Sequence, residues 1–328
     1  MHLLIPFAHC PSPPCVEVQK TLALPNLAQL LQTLTLIATD SADADTLSPP
    51  HERALALAHR LATPAQPLAD GQLPWGAWHA LQAGLVPADA APVDVAHWAV
   101  ITPAQWAVQT NHITMSDPQA LQLAEADSHA LLAAMVPYFS GDGIRLVYDT
   151  PTRWLASGEV FRGLATASVD RVVGRHVDDW LPKSDAAKPL RRLQQEMQML
   201  LYTHPLTEAR ASQGLPAVNS FWVSGTGPAP AINTPATAPA PVCPNTLRDA
   251  AVQENWAAWG EAWQQIDAGH CADALRALAQ AKPVTMSLCG EKNSQRFESR
   301  PVGLLDRLIR KVKGLSGQPS PHMVLNQL

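Results

Sequence analysis

The sequence predicts an α/β protein, and three observations carry that prediction. Short apolar runs suited to strands recur at 2–7, 97–101, 144–148, 218–223 and 283–289. Between them lie stretches in which leucine or tryptophan repeats at helical spacing. Strands that alternate with helices build a sheet covered by helices.

The first run, ending near Pro6, suits a buried opening strand. Leu24, Leu27, Leu30, Leu31 and Leu34 then mark a helix. Residues 40–50 read as a polar loop, 51–62 as an alanine-rich helix and 63–74 as loop. Strands are expected at 97–101 and 112–115. Asp117 then serves as N-cap and Pro118 as first helical residue of a helix running to about Met135. Gly141, Asp142 and Gly143 form a turn into a strand at 144–148, and Trp154 and Leu155 begin another. Leu190, Leu193, Met197, Leu200 and Leu201 form one amphipathic face, stopped by Pro205. Trp256, Trp259, Trp263 and Ile266 form a second. A last helix is expected over 302–313. Residues 1–315 read as one α/β domain, less regular across 63–180, where a lobe is inserted. A flexible Pro/Ala-rich loop covers 228–244, and 316–328 read as a disordered tail.

Composition narrows the function classes. The chain has 328 residues and is 47% hydrophobic, enough for a sizeable core. Its net charge of −5 argues against a nucleic-acid partner, which needs a basic face. The one basic cluster, Arg307, Arg310, Lys311 and Lys313, suits a helix end. The opening residues lack the charged and apolar regions of an export signal. No apolar run is long enough to span a membrane, so a cytoplasmic protein is expected. Five scattered cysteines then read as reduced thiols. Cys10 and Cys15 lack the second pair that a zinc site needs.

Candidate chemistry concentrates at 216–227, PAVNSFWVSGTG, a strand running into a glycine turn. Glycines at a strand exit let backbone N–H groups approach a ligand. Neither the P-loop nor the dinucleotide fingerprint is present. The candidate ligand contacts are Asn219, Trp222, Ser224, Gly225, Thr226 and Gly227. Arg171 and Arg175 join them as an anion-binding pair, one helical turn apart if that stretch is helical. His97, His112 and His129 lie in one region with Asp117 and Glu125, but without metal-site spacing. No G-x-S-x-G elbow occurs.

The 216–227 segment resembles the archaeal-type cofactor-independent phosphoglycerate mutases, through Ala217, Asn219, Trp222, Gly225 and Gly227. Residues 168–175, 180–182 and 288–291 are similar to bacterial proteins labelled "phosphoglycerate mutase" or regulators of the pathogenicity-factor E type. The resemblance implies an alkaline-phosphatase-like fold: a three-layer sandwich around a central, mostly parallel sheet. It also implies two Mn²⁺ or Mg²⁺ ions held by Asp and His, with a serine nucleophile. Two metals clamp both reacting oxygens, so their ligands are indispensable. Here the first strand leads into Pro6, Phe7, Ala8 and His9, where the family has Asp-Gly. The late strand leads into Cys289, Gly290 and Glu291, where it has Asp-His. No metal and no catalytic residue is therefore assigned, and the fold is expected in degenerate form.

Three functions follow as expectations. The first is a non-catalytic, mutase-like protein that binds a small anion or a protein partner in a regulatory role. The second is a metal-dependent phosphoglycerate mutase with displaced ligands. The third is a protein–protein interaction module, motivated by ten tryptophans.

Overall fold

The apolar opening residues form a strand, and the described residues build two four-stranded sheets around such runs, with a two-stranded sheet beside them in sequence. The computed structural model describes residues 1–63, 67–86, 97–227, 240–299 and 320–328. Its strands are β1 (His2–Ile5), β2 (Thr35–Ser41), β3 (Trp98–Ala104), β4 (Trp106–Val108), β5 (Ile113–Met115), β6 (Arg145–Thr150), β7 (Arg153–Ser157), β8 (Ser220–Gly227), β9 (Thr285–Cys289) and β10 (Asn293–Glu298). The helices are α1 (Pro13–Thr21), α2 (Pro25–Thr33), α3 (Pro50–Ala58), α4 (Trp75–Gln82), α5 (Glu125–Gly141), α6 (Val169–Val172), α7 (Val177–Trp180), α8 (Lys188–Tyr202), α9 (Pro205–Ser212), α10 (Thr246–Val252), α11 (Trp256–Ile266), α12 (Ala272–Ala279) and α13 (Pro321–Leu325).

Where the sequence reads as one domain, the chain divides into two compact units. The first comprises Met1–Asp45, Pro49–Arg60 and Ala236–Leu328; the second comprises Thr46–Ser48 and Leu61–Pro235. The protein is mixed α/β, but among the described residues the expected central parallel sheet is not found. Each unit holds its own four-stranded sheet.

In the first unit the strand order is β1-β9-β10-β2. Only β1 and β9 run parallel, with Ile5 opposite Leu288. The other two pairings are antiparallel, joined by the short connection from β9 to β10. Val242 extends the β1 edge: the Leu4 N–H donates to its carbonyl at 2.9 Å, and its own N–H donates to the His2 carbonyl at 2.8 Å. Leu3, Ile5, Met286 and Leu288 pack with Leu27, Leu30, Trp259 and Trp263 in one buried cluster. The tryptophan stripe of α11 is therefore core, with Trp259 and Trp263 fully buried.

In the second unit the order is β6-β7-β3-β8, and every pairing is antiparallel. The central strand β3 is buried along its length. Ile101, Trp154 and Phe221 pack with Phe139 of α5 and Leu193 and Met197 of α8. Val100 and Leu155 pack with Ala77 and Ala80 of α4.

Three local expectations need correction. The helix read from Asp117 to Met135 is two elements. Asp117 does cap a turn, accepting from the Gln119 N–H, but Gln122 adopts φ +47° and breaks the run before α5. The expected glycine turn at 224–227 is strand, because β8 continues to Gly227. Within the expected disordered tail, residues 320–328 are ordered: α13 forms there, and Val324, Leu325 and Leu328 are buried. The helix expected at 302–313 and most of the 228–244 loop lie outside the described residues. No described helix is long and apolar enough to cross a membrane.

Candidate functional site

The sequence-predicted ligand residues all lie in the second unit, and Asn219, Trp222 and Thr226 use their polar side-chain atoms within it. The Asn219 side chain copies a strand pairing: its Oδ1 accepts from the Trp106 N–H at 2.8 Å and its Nδ2 donates to the Trp106 carbonyl at 2.9 Å. The Trp222 indole is buried and donates to the Ala167 carbonyl at 2.8 Å. Thr226 is fully buried; its hydroxyl donates to the Leu164 carbonyl at 2.7 Å and lies 2.9 Å from the Thr166 hydroxyl. Ser224 is buried within β8.

The two glycines serve close packing. Gly225 adopts φ +66° at a bulge opposite β3, and a Cβ there would lie 3.0 Å from the Trp75 Cβ. A Cβ on Gly227 would lie 2.4 Å from the Gln72 carbonyl oxygen. The missing side chains let the 72–76 segment lie against β8.

Arg171 and Arg175 do not share a helical face. The short α6 ends at Val172, and Gly174 turns the chain with φ +73°. Arg171 is buried and donates to the Thr46 hydroxyl at 3.0 Å. The Arg175 guanidinium sits 5.6 Å from the Trp180 ring centroid, a cation–π distance. The 164–171 segment thus gathers Trp222, Thr226 and Arg171 into one buried seam. It leaves Asn219 at β4 and Arg175 at α7.

Two clefts of this unit fit a ligand poorly. One, beside Trp222, Gln194 and Arg191, holds no more than about 250 Å³, under the ~300–1,000 Å³ usual for ligand pockets. The other is an open groove in which carboxylates pair the cations: Arg192 with Asp142, Arg162 with Glu159, and Lys188 with Asp185.

In the first unit, the carboxyl ends of β1 and β9 carry a different constellation. Ligands of open α/β sheets bind at such strand ends. Phe7 leaves β1 with φ +52°, an uncommon conformation for a bulky side chain, and its ring lies 5.3 Å from His51. Two indoles hold the exit. Trp259 donates to the Phe7 carbonyl at 3.0 Å and Trp263 to the Ala8 carbonyl at 3.3 Å. The Ala8 N–H donates to the Cys289 carbonyl at 2.8 Å, stitching both exits together. His9 Nδ1 meets Gln19 Oε1 at 2.7 Å, and Gln19 Nε2 donates to Asn326 Oδ1 at 2.7 Å. This polar line joins the exit loop to α1 and to the segment after α13.

The β9 exit is covered. A Cβ on Gly290 would lie 2.7 Å from Leu328, whose carbonyl accepts from the Asn293 N–H at 2.9 Å. Full burial pushes the Cys289 thiol far above its ordinary range, so it stays protonated. Among the described residues, no three His, Cys, Asp or Glu side chains converge to hold a metal ion. The described residues therefore do not fit the Mn²⁺ or Mg²⁺ centre that the resemblance implies.

Sequence reasoning passed over the 7–10 loop except as a place lacking Asp-Gly. Its anchors, Trp259 and Trp263, lie about 250 residues away, a distance at which spacing carries no signal.

No family model matches the chain. A 61-residue stretch is 36% identical to the 2,3-bisphosphoglycerate-independent phosphoglycerate mutase of Methanothrix thermoacetophila, covering 19% of this chain and 16% of that protein. The chain thus has a distant relation to that family, carried by about a sixth of the relative's length. Among solved structures, a protein from Pyrococcus horikoshii aligns with TM-score 0.44 at 13% identity, over 91% of this chain and 87% of that one. The cofactor-independent phosphoglycerate mutase of Thermoplasma acidophilum aligns with TM-score 0.35 at 13% identity, over 100% and 98%. The likeness to a pathogenicity-factor E regulator has no support among these matches.

Proposed function

We propose that this chain is a binding protein related to the phosphoglycerate mutases and that it lacks their metal-dependent phosphotransfer. The observation that supports this reading is the packing at the carboxyl ends of β1 and β9. Where metal ligands would be needed, indole N–H groups occupy the Phe7 and Ala8 carbonyls, and Leu328 covers Gly290. A phosphoryl group in transfer needs cations on both reacting oxygens, and these exits offer a buried, protonated thiol and a histidine bonded to Gln19. The 7–10 loop, held at one side and bearing His9, is the candidate contact for a small ligand or protein partner.

The test is conversion of 3-phosphoglycerate to 2-phosphoglycerate by the purified chain with added Mn²⁺, repeated with chelator. An active mutase runs alongside. No turnover, together with no calorimetric Mn²⁺ binding, is the expected result. Chelator-sensitive turnover would overturn the proposal and favour the second reading, a metal-dependent mutase, which the 61-residue match supports. Outside the described residues the sequence offers Asp89, Asp94 and Asp306 but no histidine, so that reading would still need histidines from among the described residues. The third reading, an interaction module, loses its main support with the burial of Trp259 and Trp263.

A further inference from the structure

The polar line from His9 to Asn326 fixes where a proton sits. Gln19, in the last turn of α1, is only 2% exposed. Its Nε2 donates to Asn326 Oδ1 at 2.7 Å, so its Oε1 faces His9 Nδ1, also at 2.7 Å. A carbonyl oxygen can only accept. The neutral His9 ring therefore carries its proton on Nδ1, which leaves the lone pair on Nε2. No described residue hydrogen-bonds His9 Nε2, and the side chain is half-buried, with this nitrogen left open.

The support behind the ring is rigid on both sides. The Asn326 N–H donates to the His322 carbonyl at 3.0 Å. Next to it, the Gln327 carbonyl and Oε1 accept from Asn293 Nδ2 and Gln295 Nε2, each at 2.9 Å. Val324, Leu325 and Leu328 anchor the same segment in the first unit's core. Trp259 and Trp263 hold the Phe7 and Ala8 carbonyls from the other direction. One imidazole nitrogen is thus presented in a fixed tautomer by partners on its far side, as working histidines are.

The surroundings select what could meet it. Between Pro6 and Lys20, Lys20 is the one Lys or Arg, and it pairs with Glu17 at 2.6 Å. Pro6, Pro11, Pro13 and Pro14 have no N–H, and the Ala8 N–H is taken by the Cys289 carbonyl at 2.8 Å. Anions are held by cations or by converging N–H groups, and this stretch is poor in both. It offers an acceptor.

We infer that His9 Nε2 is the hydrogen-bond acceptor of a ligand site at the carboxyl end of β1, that the site takes a hydroxyl or ammonium donor in preference to an anion, and that Gln19 and Asn326 are its positioning residues. The inference rests on the 7–10 loop being a binding surface. It adds the chemistry of the group bound there.

The experiment reads the His9 ring nitrogens of the ¹⁵N-labelled full chain by long-range ¹H–¹⁵N NMR, at a pH where the ring is neutral. His9→Gln assigns the signals by their loss. The Nδ1–H form is expected to outweigh the other by roughly five- to tenfold, the bias of one net hydrogen bond. Gln19→Leu and Asn326→Ala are expected to return the ring to a mixture of tautomers. Gln19→Glu keeps an acceptor and is expected to restore the Nδ1–H form. Thermal unfolding of each variant shows that it is folded. The wild type is then titrated with glycerol, ethylammonium and inorganic sulfate. The Nε2 resonance is expected to shift saturably with glycerol or with ethylammonium, which tells a hydroxyl site from an ammonium site, and to stay in place with sulfate. A wild-type ring protonated on Nε2, or Gln19→Leu with the wild-type tautomer, overturns the positioning. A saturable shift with sulfate, or with none of the three probes, overturns the donor site. Chelator-sensitive mutase turnover would instead overturn the non-catalytic reading and leave the tautomer as it is.

Discussion

The Asp267 carboxylate accepts a hydrogen bond from the backbone N–H of Leu27 at 2.7 Å, across 240 residues of chain. Its second oxygen accepts from the Asn26 backbone and side-chain nitrogens, each at 3.2 Å. These are first-turn groups of α2, whose own N-cap position, Leu24, has no side-chain acceptor. Asp267 begins the π-helical turn Asp267–Cys271 between α11 and α12, and that widening aims it at α2. The cap and its charge are thus supplied from elsewhere in the fold.

Asp267→Ala is therefore expected to lower stability by about 2–3 kcal/mol, since it orphans buried donors. Urea denaturation checks this: the midpoint falls while the slope holds. Asp267→Asn keeps one oxygen and should lose less. Equal midpoints for the wild type and Asp267→Ala would refute the cap.

Gly225→Ala separates backbone strain from crowding when set beside Gly84→Ala. Both glycines have positive φ, +66° and +68°, but a Cβ at Gly84 meets nothing within 4 Å. Gly84→Ala is expected to cost ~1–2 kcal/mol, the left-handed penalty alone. Gly225→Ala adds a close contact with the Trp75 Cβ, so its loss in thermal or urea unfolding should be at least ~1 kcal/mol greater. Equal losses would mean that the 72–76 segment gives way freely.

His2 makes stability depend on pH. Burial, then Arg296, the Met1 amino group and His59, lower its pKa from 6.5 to about 4. The folded form resists protonation, so the unfolded chain binds more protons between those values. The His2 contribution is complete above pH 6.5 and is lost as pH falls toward 4, with up to ~3 kcal/mol at stake. Unfolding at pH 5 and pH 7.5 is the measurement. His2→Gln should flatten the difference while keeping a partner for the Ser287 hydroxyl, 3.0 Å from His2 Nε2. An unchanged pH slope in that variant would remove His2 from the account.

Much of the fold was legible because its elements obey local rules. The leucines of α2 and α8, the tryptophans of α11 and the apolar runs of β1, β3, β6 and β9 carry their periodicity openly. What spacing could not convey was pairing. β2, with Leu36 and Ile37 partly exposed, is held by register with β10, and the 35–41 stretch has no buried face to betray it. Division into two four-stranded sheets, and the pairing of β10 with β2 across about 250 residues, are likewise non-local choices. At the candidate site, the glycines of β8 were visible, but spacing did not show that they admit the neighbouring 72–76 segment. The Arg171 and Arg175 pairing failed because Gly174 ends the helix that would have aligned them.

The parallel pairing of β1 with β9 also sets a schedule for synthesis. β1 cannot pair with β9 until residues 285–289 have emerged, whereas every strand of the second unit's sheet lies between residues 98 and 227. Closing so long a loop precedes any reward from the contact. While the ribosome works, Leu3, Leu4 and Ile5 form an unpaired apolar edge, the kind of segment that chaperones shield and that aggregates when they do not.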